Sequence, residues 1–143
     1  MPLPITDITP RHIDIIREAL KSKPYEMKTA VLDATDMSIF ESESFDMVID
    51  RHGDFNPREI YRVLKSGGIF VSQRVGAQND RELVELLCGD LPLPFSEQYA
   101  ARAADAFREA GFSVLRQDEC FRPIELYDVG APVMDEHFFK RDV

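Results

Sequence analysis

Four stretches of this chain put chemically capable groups directly after apolar runs: Asp7, Asp33-Ala34, Asp50-Arg51-His52, and Gln73 to Gly76. The third is the richest. Histidine gains and loses a proton near neutral pH, which makes His52 a candidate general base. Arg51 can grip a carboxylate through two parallel N–H bonds. The competing reading pairs Arg51 with Asp50 or Asp54 at the surface. Asp7 can accept both hydroxyls of a ribose diol, or it can simply cap the helix that opens near Pro10. Asp33 can accept from an exocyclic amine while the Ala34 backbone N–H donates to a ring nitrogen. Alternatively, Asp33 and Asp36 make an Asx-type turn. His12 and His137 have no companions in sequence and read as surface residues.

Metal binding fits poorly. Asp46, Asp50, His52 and Asp54 are close in sequence, but Asp46 opens a strand that Asp50 closes. At a rise of ~3.3 Å per residue the two are about 13 Å apart, so these groups do not converge on one ion. Cys88 and Cys120 are 32 positions apart without a CxxC or histidine spacing, and read as reduced structural thiols. No GxSxG elbow, HExxH motif or glycine-rich phosphate loop occurs.

The elements that must position these residues follow from periodicity. FDMVIDRHGDFNPREIYRVLKSGGIFVSQRVG, residues 45–76, reads strand, loop, helix, glycine turn, strand. Met47, Val48 and Ile49 form a short apolar run, as expected of a strand covered on both faces. Asn56 is an N-cap with Pro57 at the first helical position and Glu59 three residues after the cap. Ile60, Val63 and Leu64 share one face, Lys65 suits the negative end of the helix dipole, and Gly67-Gly68 supply a positive-φ stop. This is a right-handed βαβ unit.

Upstream, residues 1–6 allow a short strand. Thr9 and Pro10 open a helix to about Lys21, with Ile13, Ile16 and Leu20 inward and Ile15 and Ala19 widening the stripe. TAVLD, residues 29–33, predicts a second buried strand, followed by an irregular connection with Ile39 and Phe40 tucked beneath it. Downstream, Asn79 caps a helix with a Leu83, Leu86 and Leu87 stripe. Ser96 caps a longer helix carrying Ala100, Ala103, Ala104 and Phe107 on one face and ending at Gly111. Residues 112–117 predict a further strand, 120–127 are extended around Pro123, and 128–143 have no firm pattern. Strands alternating with helices predict an α/β three-layer sandwich with a mostly parallel sheet, whose ligands bind beyond the carboxyl ends of the strands.

The 143 residues suggest a single domain spanning 1–143. With 44% hydrophobic and 30% charged residues a folded core is expected, and no apolar run has the ~18 residues of a membrane span. The start, MPLPITDITP, lacks a secretory pattern, so a cytoplasmic location is expected. A net charge of −9 opposes nucleic acid and anionic membranes as partners and leaves a small-molecule substrate.

DATDMSIFESESFDMVIDRH followed by REIYRVLKSGGIFVSQRVG resembles the middle of class I S-adenosylmethionine-dependent methyltransferases. Members show an acidic-small pair, a Phe-Asp-hydrophobic strand, and a helix ending in a Leu-Lys-Pro-Gly-Gly turn. Here that turn is Leu64-Lys65-Ser66-Gly67-Gly68, with serine for proline. Asp7-Ile8-Thr9-Pro10 is similar to the family's Asp-hydrophobic-Ser/Thr-Pro segment. The resemblance covers about residues 5–90. It implies an incomplete Rossmann-like methyltransferase fold, S-adenosylmethionine as cofactor, and methyl transfer to a small molecule. Asp7 would bind the ribose hydroxyls, Ile8 would lie against the adenine, and Asp33 and Ala34 would read its edge. Asp50, Arg51 and His52 would face the methionine part or the substrate, with His52 as base and Arg51 as carboxylate contact.

The same resemblance places a further strand and a glycine-rich loop before Asp7, so the domain reads as truncated at its N-terminus, with an atypical tail from about 128. In the family that strand lies between those read here at 1–6 and 45–50. Its absence would leave two edges with unpaired backbone groups. Either those edges close on each other, or a homo-oligomer completes the sheet between chains. The alternative to an active enzyme is an inactive methyltransferase-like module acting in oligomerisation or partner binding.

Overall fold

The computed structural model describes residues 3–24, 27–92, 96–122 and 125. The chain divides into two compact units: residues 1–74 with 106–113, and residues 75–105 with 114–143.

The first unit holds two parallel strand pairs. β1 (Leu3–Asp7) is followed by α1 (Pro10–Leu20) and β2 (Met27–Val31), and β1 pairs in parallel with β2. β3 (Phe45–Arg51) is followed by α2 (Pro57–Val63) and β4 (Leu64–Gln73), again in parallel. Parallel neighbours need a crossover, and α1 and α2 supply it. The second strand begins two residues earlier than TAVLD suggests, leaving Asp33 beyond its end.

The two pairs do not join. Among the described residues β1–β2 and β3–β4 are separate two-stranded sheets. The closure of the first strand directly onto the third is therefore not observed.

The core of this unit lies on one face of β3–β4. Met37, Ile60, Val63 and Leu64 are buried, with Phe40, Phe45, Val48, Phe55, Phe70 and Phe112 packed against them. Fully burying a side chain such as Ile60 or Val63 stabilises by roughly 1.5–3 kcal/mol. Phe107, from the end of α4 (Ala100–Glu109), lies 5.2 Å from the Phe55 ring, 4.9 Å from Phe70 and 5.1 Å from Phe112. Tilted and edge-on contacts of this kind suit the ring quadrupoles. In α1, Ile13 is buried as expected, whereas Ile15 and Ala19 are exposed and do not widen the stripe.

Local sequence explains α2 well. The Asn56 side chain accepts from the Arg58 N–H at 3.0 Å, and Pro57 occupies the first turn. Glu59 does not reach back to the cap but binds Arg62, 2.8 Å away. Arg62 also donates to the carbonyls of Phe40 (2.8 Å) and Met37 (2.9 Å), tying the 37–44 connection to the helix. Met37 and Phe40 pack inward there, but Ile39 is exposed. The helix stops at Val63 rather than at the glycines. Between the partner pairs Phe45–Leu64 and Met47–Ile69, β3 advances two residues and β4 five, so β4 bulges. Gly67, at φ +79°, absorbs the bend.

The expectation that β3 is covered on both faces is not met. Met47 (49% exposed) and Ile49 (70%) on β3 lie beside Ile69 (45%) and Val71 (48%) on β4, forming an apolar face open to solvent. Phe45 and Val48 of β3 and Leu64 and Phe70 of β4 belong to the core.

In the second unit, α3 (Arg81–Cys88) has Asp80 in the left-handed region at its N-cap, not Asn79, and Asp80 makes no side-chain cap bond. None of its residues is buried; Leu83 is half-covered, whereas Leu86 is 81% exposed and Leu87 is also exposed. Arg81 is the hub: it binds Glu85 (2.5 Å), Asp90 (2.7 Å) and the Leu91 carbonyl (2.7 Å). α4 ends as expected near Gly111 (φ +104°), which with Phe107 belongs to the first unit; Ala104 and Phe107 are buried. The strand expected at 112–117 does not form, and 112–122 has no regular structure. Of the extended 120–127 segment and the tail, residues 123–124 and 126–143 lie outside the described set.

Candidate functional site

Two groups of candidate residues stand at the carboxyl ends of the two strand pairs. The first is built on β1–β2. Asp7 is the last residue of β1, and its carbonyl accepts the Leu32 N–H at 3.0 Å just past β2. This places Asp33 and Ala34 beside the end of β1. The Asp7 Oδ1 accepts the Thr9 N–H at 2.7 Å and lies 3.1 Å from His12 Nδ1. Thr9 makes no side-chain cap of its own, so Asp7 organises the entry to α1. The Thr9 N–H holds the Asp7 carboxyl below the usual aspartate range, with a smaller contribution from His12.

Asp33 Oδ1 accepts from both the hydroxyl (2.7 Å) and the N–H (2.9 Å) of Thr35, and these two bonds hold its acidity below the ordinary value. An Asx-type turn is therefore present. Its Oδ2 takes no hydrogen bond among the described residues. Asp7 and Asp33 are ionised acceptors at neutral pH, each with lone pairs to spare. Ile8, next to Asp7, is 65% exposed and offers an apolar surface at the same end of the sheet.

The second group is built on β3–β4. Asp50 is half-buried, and its Oδ2 accepts the Ser72 hydroxyl at 3.1 Å. Burial raises its pKa, with partial offset from Ser72, Arg74, the Gly53 N–H and His52. A Cβ at Gly53 would lie 2.5 Å from Asp50 Oδ1, so the turn closes over the carboxylate only because residue 53 is glycine. His52 sits at φ +61°, uncommon for a residue with a side chain, and its N–H donates to the Gln73 carbonyl at 2.9 Å. The ladder thus runs one residue beyond β3 before turning.

The expected surface pairing of Arg51 with Asp50 or Asp54 does not form. Asp54 binds Arg74 at 2.7 Å, and the Arg74 guanidinium lies 4.9 Å over the Phe55 ring. Asp50 is engaged by Ser72. Arg51 and His52 are exposed, and neither side chain makes a hydrogen bond or ion pair with a described residue.

The structure therefore brings Asp7, Ile8, Asp33 and Ala34 together, and separately Asp50, Arg51 and His52. The separation of the two sheets means that no strand pairing links the groups. Arg74 lies in the Gln73 to Gly76 strand end that the sequence singles out, whereas the sequence does not single out Thr35, Gly53 or Ser72. Only Gly53, three residues after an aspartate in a turn-forming stretch, carries a local signal. Among the described residues no group of three or more His, Cys, Asp or Glu gathers as a metal site, and no helix is long and apolar enough to cross a membrane. A depression of about 420 Å³ in the second unit, lined by Gln78, Arg81, Asp90, Leu91 and Pro92, contains no candidate residue, and its arginine is already engaged.

No curated protein and no solved structure matches this chain. Residues 5–72, from within β1 to within β4, match the family model of a methyltransferase domain. Parallel β1–α1–β2 and β3–α2–β4 units in that segment form a partial Rossmann-like fold, consistent with the methyltransferase domain whose model it matches.

Proposed function

We propose that this chain transfers the methyl group of S-adenosylmethionine to a small-molecule acceptor. The observation that carries the reading is the pair of ionised carboxylates, Asp7 and Asp33, at adjacent strand ends within the matched segment. Their spare lone pairs and the exposed Ile8 side chain fit the adenosine half of the cofactor. Asp7 would hold the ribose hydroxyls, Ile8 would lie against the base, and Asp33 with the Ala34 N–H would read its edge. Asp50 would face the methionine half or the acceptor. When bound, the cofactor supplies an electrophilic methyl on a sulfonium sulfur.

What the chain must add is orientation, because in-line placement of two reactants removes much of the barrier. Where the attacking atom of the acceptor carries a proton, the imidazole of His52 receives it. An acceptor without that proton needs no base.

Calorimetric titration with S-adenosylhomocysteine tests the reading: saturable heat is expected, and no heat at millimolar ligand would overturn it.

A second reading is favoured by the open β3–β4 face and the two unjoined sheets. A second copy of the chain would cover the Met47, Ile49, Ile69 and Val71 face or pair with the free strand edges. This arrangement is compatible with an active enzyme or with a non-catalytic module. Its test is the oligomeric state in solution.

A further inference from the structure

We propose that His12 is a gate on Asp7: its imidazole occupies the place on the carboxylate that a vicinal diol would take, and it must swing away before the diol binds. The inference rests on the cofactor reading only for the ribose as bearer of that diol.

The argument begins with the geometry of the contact. His12 Nδ1 lies 3.1 Å from Asp7 Oδ1 and 3.3 Å from Oδ2. The two distances are nearly equal, so the ring nitrogen addresses both oxygens rather than one. An ionised carboxylate only accepts, so this nitrogen carries the proton. Two neighbouring hydroxyls held by one carboxylate approach it in the same way, one to each oxygen. The ring and a diol therefore exclude each other at this place.

The second part of the argument is that the ring can leave. The start of α1 does not depend on it. The His12 backbone N–H bonds the Thr9 carbonyl at 3.0 Å, and the Thr9 N–H holds Asp7 Oδ1 at 2.7 Å. The His12 side chain is 58% exposed, so solvent has room for the swung-out ring, and the Asp7 side chain is 32% exposed, so a dissolved ligand reaches it. A closed contact of this kind reduces the apparent affinity by the fraction of molecules in which it is open. His12 is thus a residue that acts through Asp7, and its effect on binding is opposite in sign to that of Asp7 itself.

The test is an NMR titration of the full chain with adenosine and, separately, 2′-deoxyadenosine, beside calorimetry with S-adenosylhomocysteine. His12→Ala and His12→Phe both remove the donor, and phenylalanine keeps a ring. His12→Asn keeps a donor as many bonds from the backbone as Nδ1. Without the donor, adenosine and S-adenosylhomocysteine should bind about threefold to tenfold more tightly, the range set by one net hydrogen bond, while His12→Asn should stay close to wild type. The deoxynucleoside, which lacks the diol, should gain less than adenosine. In the wild type the His12 Nδ1 signal should move to its unbonded position as adenosine saturates. Equal or weaker adenosine binding in both His12→Ala and His12→Phe overturns the proposal. So does an equal gain for the deoxynucleoside, or adenosine that binds none of the variants. Circular dichroism of each variant confirms that it is folded. If S-adenosylhomocysteine binds through Asp7 and His12→Phe changes nothing, the gate falls and the cofactor reading stands. If adenosine shows the gate and S-adenosylhomocysteine gives no heat, the reverse holds.

Discussion

Met47 and Ile69 are direct register partners on β3 and β4, and each keeps nearly half of its surface in water. Ile49 and Val71 repeat the relationship two residues further on. A parallel pair with one face on an aromatic core and the other bare is unusual, because parallel sheets are ordinarily covered on both sides.

The first prediction concerns that face. If a second copy covers it, sedimentation of the wild type shows a dimer or larger species. Ile49→Lys then returns the protein to monomer and lowers the thermal midpoint, since association no longer stabilises the folded chain. A wild type that sediments as a monodisperse monomer goes against the oligomer reading.

The opposite face should behave as a core. Ile60 and Val63 are essentially inaccessible to solvent. Ile60→Ala is expected to cost about 2–5 kcal/mol in urea unfolding, the range for aliphatic truncations that leave a cavity. Tyr61, its exposed neighbour on the same helix, should tolerate Tyr61→Ala better, although its ring stacks edge-on against Phe112 at 5.3 Å. Equal losses at 60 and 61 would show that the helix faces have been misassigned.

The contrast between these faces explains what the sequence could reveal. α2 was legible because its signals are local: Asn56 and Pro57 start it, and Ile60 and Val63 set its inward side. The parallel pairing followed from helices separating short apolar runs. The bare side of β3 was not legible, because an apolar run reports that a residue is suited to burial and says nothing of whether a neighbour is there. Residues 112–117 carry β-propensity but pair with no strand, because propensity is a weak preference that tertiary context overrides. The Asp50 arrangement has no local signal because Ser72 is 22 positions away, and the TAVLD run extends to Asp33 although the strand ends at Val31.

Asp50 also sets a pH dependence. Burial raises its pKa in the folded state, so the folded protein binds this proton more tightly than the unfolded chain. The stabilisation from protonation is full below the unfolded value of about 3.9 and is lost as pH rises through the folded value. Asp50→Asn removes the titration while keeping an oxygen to accept from Ser72. The stability of the wild type relative to the variant should therefore fall as pH rises from about 4. Parallel stability curves would mean that the Asp50 carboxyl titrates alike in both states.

Asp7 and Asp33 make the sharpest test of the cofactor assignment, because both are expected to act on binding and by different amounts on folding. Asp7 bonds the entry to α1, and its lowered pKa means that its contribution to stability is present above about pH 3.9 and lost as pH falls through the folded value. Asp7→Ala should lower the thermal midpoint at pH 7 and narrow the gap to wild type in acid. Asp33 bonds only Thr35 within its own exposed turn, so Asp33→Ala should leave the midpoint nearly unchanged. Each substitution removes a charged acceptor, and hydrogen bonds to charged groups are strong enough that about a tenfold loss of S-adenosylhomocysteine affinity is expected from either. Asp33→Ala is the cleaner experiment: an unchanged midpoint with unchanged affinity would leave its carboxylate as a turn residue alone and move the adenine away from this end of β2.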